Sequence, residues 1–119
     1  MKPSRTRGLI LGLALVLGLT GCASAAQTAN APIERAEVLM PPSYRFDPVA
    51  IQVPVGTTVT WRNTDNFSHA VSVAGGTVPI LDLRPGQSGT ITFDQPGTYA
   101  YVCTYHAQDM QGTVSVVER

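Results

Sequence analysis

The sequence from residue 36 onward predicts an all-β fold, a sandwich of about eight strands. Short segments rich in Val, Thr, Ile, Tyr and Phe recur along it. Turn pairs such as Pro85-Gly86 and Pro96-Gly97 separate them at the spacing of a β-sandwich. Within residues 57–61 and 89–93, large apolar side chains alternate with Thr, which is typical of strands with one buried and one solvated face. The sequence past residue 35 has no pattern of an amphipathic helix.

These patterns give the position of each strand. The predicted strands cover residues 36–40, 50–53, 57–63, 69–73, 77–82, 89–93, 98–103 and 112–117. Trp61 lies on the apolar side of its strand and is predicted to belong to the core, together with Phe46, Phe93 and Val114.

The N-terminal residues have the form of an export signal. Three basic residues within the first seven positions precede an apolar run over residues 9–19, which is too short to span a bilayer comfortably. Leu19-Thr20-Gly21-Cys22 then resembles a bacterial lipobox, in which the cysteine is lipidated and becomes the new N-terminus. Cleavage after Ala23-Ser24-Ala25 is the alternative.

The chain of 119 residues has room for one folded domain, so we predict three parts. Residues 1–21 are a lipoprotein signal peptide, residues 22–35 are the lipidated Cys22 and a flexible tether, and residues 36–119 are the domain. The tether is small and polar and cannot bury enough apolar surface to order itself. Lipid chains on Cys22 would attach the protein to a membrane surface, in the periplasm or on the outer cell surface.

Charge and cysteine content exclude two classes of protein. Beyond residue 21 the chain has five basic and eight acidic residues, and this acidic balance argues against nucleic-acid binding, which needs a basic face. The two cysteines are Cys22, at the end of the leader, and Cys103. A framework of disulfides is therefore not expected.

Potential metal ligands are concentrated near the C-terminus, in residues 103–110, which we call the donor loop. Cys103 ends a predicted strand, His106 and Met110 follow it, and the next strand begins at Gly112. The other histidine, His69, begins a separate strand and completes the set if that strand end lies beside the donor loop.

A thiolate, two imidazoles and a thioether are the ligand set of a mononuclear copper site used for electron transfer, and they form an unusual shell for zinc. A single buried Cys is more often structural, so only the combination indicates a metal site. Asp109 competes with Met110 for the fourth position, although a solvated contact is its favoured role.

Residues 44–117 resemble the cupredoxins, the small blue copper proteins. The resemblance depends on Phe46-Asp47-Pro48, on residues 55–63 leading to Asp65 and His69, on the two Pro-Gly turns, and on the Cys-x2-His-x3-Met spacing. It implies a Greek-key sandwich that holds one copper ion cycling between Cu(I) and Cu(II). It also implies that His69, Cys103 and His106 are close ligands and that Met110 is a distant axial ligand.

The chain departs from the family pattern in three places. Many members have Asn where this chain has Ala70. The backbone N–H that donates to the thiolate is retained, but the Asn side chain that ties the two sides of the site together is lost. Asn63 and Thr104 are candidates to replace that tie. Tyr105 replaces a proline that often precedes the second histidine. The spacing from His106 to Met110 lies between the shorter and the longer loops of the family.

We therefore predict a one-electron carrier and no enzyme. The expected partners are redox proteins of the cell envelope, met transiently through a patch around His106 by a monomeric protein. The alternative is a copper-binding module for storage, delivery or sensing, but such modules usually have open motifs with several Met or His residues. Beyond the leader this chain has only Met40, Met110 and two histidines. A hydrolase using Cys103 lacks an oxyanion-hole motif.

Overall fold

The computed structural model describes residue 18 and residues 31–119, and the regular elements within these residues are nine strands. They are β1 (Ile33–Glu34), β2 (Glu37–Met40), β3 (Ala50–Pro54), β4 (Thr57–Asn63), β5 (His69–Val73), β6 (Leu81–Leu83), β7 (Ser88–Phe93), β8 (Gly97–Val102) and β9 (Gln111–Val117). The predicted signal peptide and Cys22 lie outside the described residues. No helix in the described part of the chain is long and apolar enough to cross a membrane.

The strands form two sheets. The larger sheet has the order β1-β3-β9-β8-β5-β6, and the smaller one has the order β2-β4-β7. In the larger sheet β1, β3 and β9 run parallel, whereas β9, β8, β5 and β6 alternate in direction. The prediction of an all-β sandwich is confirmed, with nine strands in the described residues where about eight were expected.

The core lies between the sheets and follows from the alternation in the sequence. On β4, Val59 and Trp61 are fully buried, whereas Thr58 and Arg62 on either side of them are exposed. The predicted core residues Phe46, Trp61, Phe93 and Val114 are all buried. Burial of these apolar side chains is the main driving force for forming the sandwich.

Tyr101 on β8 is a large core residue that the sequence patterns did not single out. Its ring packs edge-on against Trp61, with centroids 5.3 Å apart, and against Phe46, with centroids 4.7 Å apart. Its hydroxyl group is buried, and this burial raises the pKa of the Tyr101 phenol well above its ordinary value. Tyr101 therefore anchors β8 in the core two residues before Cys103.

Two elements differ from the prediction by more than one residue. The strand expected over residues 77–82 is Leu81–Leu83, because Pro79 has no N–H to donate to a ladder. Ile33–Glu34 lies within the predicted tether, residues 22–35, yet pairs with β3, and Glu34 Oε1 forms an ion pair of 2.7 Å with Arg119 Nη1. The sheet therefore begins three residues before the predicted start of the domain.

The register of the larger sheet brings three strand ends together. Val102 at the end of β8 pairs with Gln111 at the start of β9 and with Ser72 of β5. Because β5 runs antiparallel to β8, His69 at the start of β5 lies beyond the end of β8, at the same edge as the donor loop. This arrangement places the predicted metal ligands at one end of the sandwich.

Candidate metal centre

The donor loop is closed by its own backbone hydrogen bonds. The N–H of Cys103 donates to the carbonyl of Met110 over 3.0 Å, directly beyond the Val102–Gln111 pair. Inside the loop, the N–H of His106 donates to the Cys103 carbonyl over 3.1 Å, and the N–H of Met110 donates to the His106 carbonyl over 2.9 Å. The backbone therefore fixes the positions from which the donor side chains project.

The structure brings His69, Cys103 and His106 together, with their donor atoms within 4.8 Å of one another. The Cys103 Sγ lies 3.9 Å from His69 Nδ1 and 3.7 Å from His106 Nδ1. Metal–nitrogen and metal–sulfur bonds are about 2.0 to 2.3 Å long, so atoms with these separations can bind one ion. One soft sulfur and two imidazole nitrogens fit copper better than they fit a hard cation.

His69 is oriented by a buried carboxylate. Its Nε2 lies 2.9 Å from Asp65 Oδ2, so a proton on Nε2 donates to the carboxylate and the Nδ1 lone pair faces Cys103. The hydrogen bond with His69 holds the pKa of the Asp65 carboxyl below its ordinary value. Asp65 belongs to the motif that resembles the cupredoxins, but the motif predicts no role for it. An acid four residues before a candidate ligand is the signal that could have indicated one.

Asn63 fixes the connection between β4 and β5 that contains Asp65. Its side-chain oxygen accepts from the Asp65 N–H over 2.9 Å, and its amide nitrogen donates to the carbonyls of Phe67 and Leu83 over 2.7 and 2.9 Å. These bonds reach β6 and not the donor loop. Asn63 therefore supports the site by positioning Asp65 and the segment that leads to His69.

Two further contacts link the donor loop to the strands beside it. The N–H of Ala70 donates to Cys103 Sγ over 3.3 Å, as expected for this position. The Tyr105 hydroxyl donates to Asp82 Oδ2 of β6 over 3.0 Å, and this bond raises the pKa of the Tyr105 phenol. Thr104 is exposed, and within the described residues its side chain makes no hydrogen bond that replaces the missing tie.

The two candidates for the fourth ligand differ in burial. Met110 is fully buried at the end of the donor loop, whereas Asp109 beside it is exposed. A buried thioether on the inner side of the loop suits an axial position, and an exposed carboxylate suits contact with solvent. Axial ligation by Met110 remains a prediction.

Aromatic side chains cover the outer side of the site. Tyr44, Phe67 and Tyr105, which we call the aromatic rim, are 42%, 59% and 55% exposed. The Tyr44 ring lies 4.5 Å from the His106 ring, and it stacks on Phe67 at 6.2 Å. Tyr44 and Phe67 are distant from His106 in sequence, and only the fold reveals that they belong to this surface.

Comparisons with known proteins agree with this geometry. A model of the cupredoxin-like domain matches residues 9–116. The chain is 35% identical over 77 residues to amicyanin-alpha of Methylorubrum extorquens, which covers 60% of this chain and 64% of that protein. It is 44% identical over 79 residues to halocyanin of Natronomonas pharaonis, which covers 61% and 48%. It is 33% identical over 83 residues to plastocyanin of Scenedesmus fuscus, which covers 60% and 85%.

Solved structures that resemble this chain also include copper proteins. A purple cupredoxin from Nitrosopumilus maritimus matches with a TM-score of 0.60 and 26% identity, covering 70% of this chain and 100% of that one. A copper-containing nitrite reductase from Thermus scotoductus matches with a TM-score of 0.62 and 31% identity, covering 75% of this chain but only 23% of the reductase.

The matches cover different shares of this chain and of its relatives. The chain spans about half of the length of the halocyanin and less than two thirds of that of the amicyanin. The family model, however, matches most of this chain, and the two-sheet sandwich with its convergent thiol and imidazoles agrees with it. This protein belongs to the family of cupredoxin-like domains.

Proposed function

We propose that the protein carries single electrons through one copper ion, with His69, Cys103 and His106 as close ligands and Met110 as the axial ligand. The observation that supports this most strongly is the convergence of Cys103 Sγ with two Nδ1 atoms at 3.7 and 3.9 Å. Copper bound there would supply a Cu(II)/Cu(I) couple. The ligand set matches that of electron-transfer copper sites.

The surrounding residues hold the site in one arrangement. Asp65 fixes the ring of His69, the Ala70 N–H is directed at the thiolate, and backbone hydrogen bonds close the donor loop. Groups that are already oriented need little rearrangement when the charge of the site changes. This property suits an electron carrier and requires no substrate-binding cavity beside the site.

The different burial of the three candidate ligands indicates where electrons would enter and leave the site. His69 and Cys103 are fully buried, whereas His106 is partly exposed and lies behind the aromatic rim. We propose that redox proteins dock there transiently, since electron-transfer contacts are typically small. We also propose export of the protein and attachment to a membrane through a lipidated Cys22, on the sequence signals alone.

Voltammetry and copper transfer together test the proposed carrier function. The copper-loaded domain should show one reversible one-electron wave and should keep its copper in both oxidation states in the presence of a weak Cu(I) chelator. Rapid loss of Cu(I) to the chelator, with no reversible wave, would instead support copper delivery.

A further inference from the structure

Ser43 and Tyr44 adopt an unusual backbone conformation. Ser43 and Tyr44 have φ values of 85° and 52°, in the left-handed region that non-glycine residues rarely occupy. Two prolines, Pro41 and Pro42, precede them. The turn is closed where Leu39 and Asp47 exchange backbone hydrogen bonds of 2.8 and 2.9 Å. Strained residues of this kind persist when the surrounding structure requires them, and they cluster at functional sites.

The strained turn places one ring beside both candidate histidine ligands. The Tyr44 centroid lies 4.5 Å from that of His106, with 54° between the planes, and 6.4 Å from that of His69, edge-on. Phe67 stacks on Tyr44 at 6.2 Å with 21° between the planes. The ring of Tyr44 is thus held between Phe67 and the metal-binding end of the sandwich.

The two histidines are restrained in different ways. His69 is fully buried, and its Nε2 is bonded to Asp65. His106 is only partly buried, and among the described residues no side chain or backbone group makes a hydrogen bond to its Nε2. A ring without such a partner can turn about its side-chain bonds unless packing prevents it. Tyr44 provides the closest aromatic packing on His106.

We infer that Tyr44 is a positioning residue for His106, and that the strained turn over Ser43 and Tyr44 serves to hold it there. The Tyr44 ring keeps Nδ1 of His106 directed at Cys103 Sγ, as the Asp65 carboxylate does for His69. This inference rests on the proposed function, since it concerns a ligand of the same site. It predicts that the position of the His106 ring depends on the aromatic ring of Tyr44 and not on its phenol hydroxyl.

The test compares Tyr44→Phe with Tyr44→Leu, using Val55→Ala as the matched control. Val55 is an apolar residue of similar exposure, 38% against 42% for Tyr44, but its N–H bonds to Val117 at the end of β9 away from the donor loop. The first readout is the rate at which a strong Cu(I) chelator removes copper. We expect this rate to rise at least fivefold in Tyr44→Leu and to stay within twofold of wild type in Tyr44→Phe and Val55→Ala.

The second readout is NMR of the imidazole of His106 in the metal-free protein, which does not depend on copper. Tyr44→Leu should broaden or average the His106 ring signals and leave those of His69 unchanged. The inference is overturned if Tyr44→Leu behaves as wild type, if Tyr44→Phe is as impaired as Tyr44→Leu, or if Val55→Ala has the same effect. If Tyr44→Leu does not fold, Tyr44→Met takes its place. Failure of the wild type to bind copper would refute the proposed function but not the NMR result.

Discussion

His69 and His106 present the same ring nitrogen to Cys103, but the chain fixes them with different residues. Asp65 bonds to His69 inside the protein, and Tyr44 packs on His106 at the surface. The negative charge of Asp65 therefore acts on the site through His69, the inner histidine. We propose that His106, the outer one, is the ligand through which a partner exchanges electrons.

Asp65→Asn is expected to raise the reduction potential. The carboxylate is one imidazole ring away from the metal position, and its negative charge favours Cu(II) over Cu(I). The amide can still accept from Nε2, so copper should stay bound while the potential rises by roughly tens of millivolts. Voltammetry measures the change, with Asp109→Asn as the control, because that exposed charge is screened by water. Equal shifts in the two variants would contradict the role given to Asp65.

Met110→Gln is expected to lower the reduction potential without loss of copper. The axial ligand tunes the potential of such sites, and an amide oxygen favours Cu(II) more than a thioether does. Met110 is fully buried, so this test should be accompanied by a check of folding by circular dichroism. An unchanged potential in a folded variant would assign the axial position to Asp109 or to a backbone oxygen.

At the scale of the elements, β8 and β9 determine the shape of the donor loop. Tyr101 lies two residues before Cys103, and Gly112 lies two residues after Met110, opposite Tyr101 in the pairing of the two strands. A Cβ at position 112 would overlap the ring and the phenol oxygen of Tyr101. Glycine is therefore required there for steric reasons, because the buried ring crosses the neighbouring strand.

Gly112→Ala should destabilise the metal-free domain by about 2 to 3 kcal/mol, the cost of overpacking a rigid core site. For a domain of this size this corresponds to a melting temperature lower by roughly 10 °C or more. Gly89→Ala is the matched control, because its Cβ would lie 3.1 Å from the flexible end of Leu81. Thermal unfolding compares them. A smaller effect at position 112 than at position 89 would show that Tyr101 moves aside easily.

The elements also show what the sequence could predict. The alternation of Thr with large apolar residues located β4 at its observed bounds, and Cys103 at a strand end followed from the same pattern. The pairing of Ile33–Glu34 with β3 could not be predicted, because two residues are too short for a periodic signal. The placement of Tyr44 and Phe67 beside His106 depends on loop conformations that no local pattern encodes.

At the scale of the whole molecule, the fold class, the family and copper as the cofactor are predicted from the sequence and confirmed by the sandwich, the family match and the donor set. These features were predictable because the motif residues lie on regular strands or on one short loop. Asn63 was a candidate for the tie across the site, and its side-chain amide donates to the carbonyls of Phe67 and Leu83. These partners come from the connection after β4 and from β6, and the sequence pattern does not show that they lie beside Asn63.

Membrane attachment is a prediction for the whole molecule and concerns Cys22, outside the described residues. In the native host, Cys22→Ser should release the protein from the membrane fraction, because no lipid chains could be added to a serine at this position. Fractionation followed by immunoblotting measures the distribution. Wild-type protein that is washed off by salt alone, or a variant that stays attached, would contradict lipidation at Cys22.

The central claim is that His69, Cys103 and His106 bind one copper ion through a thiolate and two imidazoles. Titration of residues 31–119 with Cu(II), followed by visible absorption and electron paramagnetic resonance, tests it most directly. We predict binding of one equivalent of copper and an intense thiolate-to-Cu(II) band that is absent in Cys103→Ser and lost or strongly changed in His69→Ala and His106→Ala. A colourless complex, or a band that persists in Cys103→Ser, would contradict the claim.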